Sequence, residues 1–193
     1  MSSKKTTAQK KHIRWVITVF VSTIFISAFF SLLSSLIFDV SGLLISFLVL
    51  LLIVLVGILF DIVGVAVTAA DEAPFHAMAS RRMPEARDAI RLLRNAARVG
   101  SVCNDVIGDI CGVISGAASA AITSKLILTA GLTAQKTLFS VLLSALVAAA
   151  TVGGKAAGKS IAIKNSTVIV RITAKIIYTI KMLPSRIFCR GKR

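Results

Sequence analysis

Long unbroken apolar runs, fenced by clusters of lysine and arginine, decide what this chain can become. Trp15 to Phe38 and Leu43 to Val67 hold almost nothing but aliphatic, aromatic and small residues. Each is longer than the ~20 residues a helix needs to cross the hydrocarbon of a bilayer. Neither shows the alternation of an element lying half in water. Two weaker runs follow, from about Ser101 to Thr123 and from about Thr137 to Val152. Composition agrees. The 193 residues are 56% hydrophobic and 16% charged, with mean hydropathy +0.87, whereas a soluble domain is about a quarter charged. The expectation is an all-α integral membrane protein with four transmembrane helices.

The charges then give the orientation. Net charge is +15, which nucleic acid or anionic lipid would each attract. Nucleic acid is the poorer partner, because the charges flank the apolar runs instead of covering one globular face. The N-terminal arm, 1–14, carries Lys4, Lys5, Lys10, Lys11 and Arg14, and Trp15 suits the interface beyond it. Residues 71–98 carry Arg81, Arg82, Arg87, Arg91, Arg94 and Arg98 beside Asp71, Glu72, Glu85 and Asp88. The tail from Gly153 holds ten basic residues and no acidic one. These three segments contain 21 of the 23 lysines and arginines. Four spans put all three on one side, and lysine and arginine concentrate on the cytosolic side. The reading is a multi-pass protein of an inner or plasma membrane, both termini cytosolic, with anionic headgroups against its basic segments. The first run, about 24 residues and with no A-x-A site after it, reads as a span and not as a cleavable signal.

Within 71–98, Pro84 and Glu85 suit the first turn of a helix. Ala89, Ile90, Leu92, Leu93 and Ala96 follow as an apolar stripe. This predicts a cytosolic helical hairpin pressed against the membrane. In the tail, Asn165 suits the start of a helix reaching about Met182. Its apolar residues alternate with Lys164, Arg171, Lys175 and Lys181, as in a helix lying in the interface. A further span is the competing reading, but it would place Arg171 and Lys175 in mid-bilayer. In the third run, Gly108, Gly112 and Gly116 recur every fourth residue, a small-residue face for close helix contact and for a homodimer.

Charged groups inside a bilayer cost a few kcal/mol or more, so each is a functional candidate. Asp61, Asp105 and Asp109 fall inside the apolar runs, with Asn104 beside the second of them. Asp105 and Asp109, four apart, share a helix face. Carboxylates with an amide oxygen suit a hard cation such as magnesium. The alternative is that these acids are interfacial or paired with a base. His12 and His76 lie in basic cytosolic segments, which argues against a histidine metal site. Cys103, Cys111 and Cys189 are too few and too scattered for a disulfide framework or zinc site. No nucleophile–base set, redox pair or phosphate-binding glycine loop is present; Gly153-Gly154-Lys155 lacks the first glycine of such a loop. An enzyme is not expected.

Three motifs carry a family resemblance. Phe60-Asp61-Ile62-Val63-Gly64-Val65-Ala66-Val67-Thr68-Ala69 is similar to F-S-x-x-E-T-A-L-T-A. Phe75-His76-Ala77-Met78-Ala79, then Ala89-Ile90-Arg91-Leu92-Leu93, lead into Cys103-Asn104, where the pattern has Gly-Asn. Gly153-Gly154-Lys155-Ala156-Ala157-Gly158-Lys159-Ser160-Ile161-Ala162 is similar to F-G-E-x-x-P-K-x-x-A. In this order they resemble the transmembrane domain of the cyclin-M and CorB/CorC magnesium–cobalt efflux proteins, over about 60–185. The resemblance implies such a domain over 43–185, an extra N-terminal transmembrane helix over 15–42, a basic tail over 186–193, and no counterpart of the family's CBS modules. It implies Mg2+ as transported ion, efflux as its direction and a dimer.

The departures fall on the ion ligands that the family implies. Asp61 stands for its serine, Gly64 for its first glutamate, Lys155 for its second glutamate and Gly158 for its proline. Asn104 is kept, and Gly154 and Lys159 flank the changed position. Two readings of Lys155 stay open. Its ammonium takes the place of the ion and pairs with Asp61 or Asp105, giving a non-transporting scaffold or regulator. Alternatively it snorkels to the cytosol, and the ion uses Asp61, Asn104, Asp105 and Asp109.

Overall fold

The computed structural model describes the backbone over residues 2–130 and 136–189, and side chains over 13–38, 41–127 and 137–182. The side chains of His12, Asp39, Lys136 and Cys189, and the tail over 186–193, lie outside the residues whose side chains are described. Every described element is helical. The order is α1 (Ser2–Val40), α2 (Leu43–Ala69), α3 (Ala73–Ser80), α4 (Ala86–Arg94), α5 (Ala96–Ser101), a π-helical stretch (Val102–Ile107), α6 (Gly108–Ala130), α7 (Lys136–Lys164) and α8 (Ser166–Cys189).

Among the described residues, four helical segments are long and apolar enough to cross a membrane: Ile13–Phe38, Leu43–Ala69, Ala96–Ile127 and Thr137–Lys164. The chain therefore reads as a multi-pass membrane protein. Two boundaries differ from the sequence reading. The third segment starts at Ala96, because α5, the π stretch and α6 continue one another. The fourth does not stop at Val152: α7 passes through Gly153 and Gly154 and ends at Lys164. A glycine pair weakens a helix without breaking it, and Ala156, Ala157, Ile161 and Ala162 beyond it are well suited to continue it. Lys155 and Lys159 thus belong to the spanning helix and not to a separate tail.

The residues form two compact units. The first comprises Met1–Val54 with Asp109–Ala149, the second Leu55–Gly108 with Ala150–Arg193. In the first, the turn between α1 and α2 narrows to Ser41 and Gly42, with Ser46 N–H donating to Gly42 O at 3.0 Å. Lys125 of α6 reaches this turn. Its Nζ donates to Phe38 O, and to Ser41 O at 2.7 Å. The last carbonyls of a helix have no partner within it, and a cation there also meets the negative end of the helix dipole. The buried face of α6 carries Ile110, Ile114, Ala118 and Ile122 at steps of four, with Ser115, Ser119 and Thr123 beside them. Ser119 Oγ lies 3.4 Å from Ser144 Oγ of α7. Gly112 and Gly116 are off this face, exposed, and have nothing packed against them.

The second unit holds the core. Val65, Ala66 and Val67 of α2, Phe75 of α3, Ala89 and Leu93 of α4, Ala162 of α7, and Val170 and Ala174 of α8 form one buried cluster. The hairpin foreseen from the sequence is α3 and α4. Its second helix starts at Ala86, with Glu85 at the N-cap and Pro84 outside it. Pro74 holds the first-turn position, in α3. The apolar stripe of α4 packs on α8 and the end of α2 through Ala89 and Leu93. Two ion pairs join the same helices, Arg171 with Glu85 at 3.8 Å and Lys181 with Asp88. Asn165 marks the junction of α7 and α8, its carbonyl accepting from Ile169 N–H at 3.1 Å.

Candidate functional site

Three helical segments of the second unit converge on a polar spot. Glycines set how closely they approach. In α2, a Cβ at Gly64 would fall on Asn104 Oδ1 and stand 3.0 Å from Cys103 Cβ. One turn earlier on the facing segment, a Cβ at Gly100 would stand 2.9 Å from Thr68 Cγ2. Gly64 and Gly100 therefore let α2 and the α5–π segment touch nearly backbone to backbone, as small residues do in membrane helix pairs. The π stretch changes the hydrogen-bond register here: Gly108 N–H donates to Cys103 O, five residues back. Stretches of this kind recur at functional sites.

Asn104 is the consequence. Its Oδ1 is buried and, among the described residues, has no hydrogen-bond partner. Most buried side-chain polar atoms do have one, so this oxygen calls for an explanation. An unpaired amide oxygen is an acceptor that a cation or a donor would satisfy.

Lys155 enters from α7. Its Nζ lies 3.2 Å from where a Cβ at Gly108 would be. Gly108 thus makes room for an ammonium, while Gly112 and Gly116 meet no neighbour. Below and above Lys155, Cβ atoms at Gly154 and Gly158 would overlap the side chains of Ile58 and Ile62. These two glycines seat α7 on α2. Lys159 is exposed.

Asp61 lies on α2 between the two contact lines. At about 100° per residue, its direction falls between that of Gly64, which meets the π stretch, and that of Ile58 and Ile62, which meet α7. It is 8% exposed. Among the described residues it forms no ion pair or hydrogen bond. Its carboxylate oxygens, unlike Asn104 Oδ1, are not among the buried atoms that lack a partner, so they keep some accessible surface.

Asp105, in the π stretch, and Asp109, in the first turn of α6, are both exposed. Among the described residues, no group of three or more histidines, cysteines, aspartates or glutamates is placed to hold a metal. The three acids singled out in the sequence are therefore not gathered into one ligand set. His76 bonds Glu72 at 3.2 Å on the exposed side of α3. Cys103 is buried and Cys111 half-buried, and neither forms a disulfide. Sequence reasoning missed Thr68 and Gly100; the signal available was a glycine one turn before Asn104.

Compared with family models, with curated proteins and with solved structures, the chain matches none.

Proposed function

We propose that the chain is a divalent-cation transporter-like membrane protein, with magnesium the expected ion and efflux the expected direction. One observation carries this reading: Asn104 Oδ1 is buried without a partner, on the segment that packs at Gly64 of α2, the helix that also carries Asp61. A carboxylate with an amide oxygen suits a hard cation that keeps several of its waters. Asp61 supplies the charge and Asn104 the neutral ligand. Asp105 and Asp109, being exposed, serve as outer acidic groups that attract the ion. The resemblance to the cyclin-M and CorB/CorC domain adds to the reading at the same two positions. Insertion in an inner or plasma membrane with both termini cytosolic, a homodimer through exposed Gly112 and Gly116, and anionic headgroups against the basic segments complete it. It assigns no catalytic step.

A second reading is favoured by Lys155. Its Nζ reaches into the same unit beside Gly108, where an ammonium can stand in for the ion. The protein is then a non-transporting scaffold or regulator with a transporter's architecture.

Magnesium flux into dye-loaded proteoliposomes separates them. Flux by the wild type, lost in Asp61→Asn and Asn104→Ala, supports transport. Absence of wild-type flux, with magnesium binding gained in Lys155→Gln, supports the scaffold. Flux that survives both Asp61→Asn and Asn104→Ala removes the ion site argued above.

A further inference from the structure

We propose a phosphate-binding site at the α3–α4 turn, formed by Arg82, Arg87 and Tyr178. A cavity of about 490 Å³ opens there, lined by Ala79, Arg82, Met83, Pro84, Arg87 and Tyr178. Pockets of a few hundred Å³ suit small ligands. Two guanidinium groups and a phenol hydroxyl on an apolar wall match the oxygens of a phosphate.

The charges around the cavity sharpen this. Glu85 and Asp88, the carboxylates on either side of Arg87, are engaged by Arg171 and Lys181 of α8. Arg82 and Arg87 form no ion pair among the described residues, and both are exposed. The helix pairing thus neutralises the local acids and leaves two cations facing the opening.

The backbone at Arg82 is the independent sign. Arg82 N–H donates to Ala79 O at 3.0 Å, and Met83 N–H to Met78 O at 3.2 Å. This is the paired closure of a helix C-terminus in which the residue at Arg82's place is usually glycine. Arg82 has φ 57°, a conformation that disfavours any residue with a Cβ by about 1 kcal/mol or more. An arginine where glycine fits best places a guanidinium at the cavity mouth.

The chemistry is a phosphate group, carried by a soluble anion or by an anionic lipid. On α8, the exposed Val168, Ile172, Ile176 and Ile180 lie on the side away from Val170 and Ala174, and Tyr178 is not among them. This sets the cavity apart from the exposed apolar face of α8, the face a lipid would cover, and favours the soluble source. The proposal does not depend on the ion site around Asp61.

The test uses the full chain in phosphatidylcholine nanodiscs, titrated with pyrophosphate, and a second set of nanodiscs containing phosphatidic acid. Pyrophosphate binding in plain phosphatidylcholine identifies a soluble ligand. Protection of Arg82 and Arg87 from arginine-directed labelling only with phosphatidic acid identifies a lipid. In either arm, Arg82→Gly and Arg87→Gln should each weaken binding at least tenfold, and Tyr178→Phe several-fold. Arg82→Gly should also unfold at or above the wild-type temperature, because its backbone suits glycine, so lost binding there is not lost folding. Arg91→Gln removes the same charge outside the cavity and should bind as wild type. No binding in either arm overturns the proposal, as does unchanged affinity in both cavity variants or an equal loss in Arg91→Gln.

Discussion

Asn104 Oδ1 occupies the space that any side chain at position 64 would need. The close pass of α2 and the π stretch, and the burial of an unpaired amide oxygen, are thus one fact seen from two sides. Gly64→Ala should destabilise the protein by about 1–3 kcal/mol, as overpacking does. In an Asn104→Ala background the same change should cost less, because the obstructing oxygen is gone. Unfolding midpoints in detergent for the four members of this double-mutant cycle measure the coupling.

Phe75 is fully buried at the centre of the second unit's core, where α2, α3, α4 and α8 meet. Phe75→Ala should cost about 3–5 kcal/mol, the loss of a large buried side chain plus the cavity it leaves. Thermal unfolding with a helical signal reports it, and limited trypsin digestion should then cut within 81–98.

Lys125 donates to two main-chain carbonyls at the α1–α2 turn. Lys125→Met keeps the length of the side chain and removes both bonds. Charged hydrogen bonds of this kind contribute about 1.5–3 kcal/mol. A cysteine placed at Ser41 should react faster with a water-soluble maleimide in this variant than with Lys125 present.

Asp88 and Lys181 join α4 to α8, with Asp88 mostly covered and Lys181 half exposed. A pair on a surface contributes about 0.2–1 kcal/mol. Asp88→Lys and Lys181→Asp should each raise the rate of trypsin cleavage at Lys175, and the double swap should restore it. A double variant as sensitive as the singles would show that the pair does not hold α8.

Much of the fold was legible because hydropathy is a local property. Trp15 to Phe38 and Leu43 to Val67 announce helices long and apolar enough to span a membrane from composition alone, and the basic segment 71–98 marks where the long apolar helices give way to the short α3 and α4. The hairpin was legible from Ala89 and Leu93, although the stripe packs on α8 and α2. The end of α7 was not. Gly153 and Gly154 read as a break, whereas contact with Ile58 explains why glycine is used at Gly154, and Gly153 has nothing packed near it. Asp61 stood out as an acid in an apolar run. The role of Gly64 did not, because it depends on which residue of a distant helix arrives opposite. The neighbour of Gly108 was not legible for the same reason: its spacing from Gly112 fixes a face, but not that Lys155 approaches it.

The unbroken course of α7 through its glycine pair has a mechanical result. Between Lys155 and Asn165 there is about 15 Å of continuous helix at 1.5 Å per residue, and a helix that short is stiff. A push on α8, whether through its ion pairs with α4 or at the α3–α4 turn, has to pass the Asn165 junction to reach this segment. Beyond that junction α7 runs unbroken to Lys155, whose ammonium lies beside Gly108, so a tilt of this segment would carry the ammonium with it.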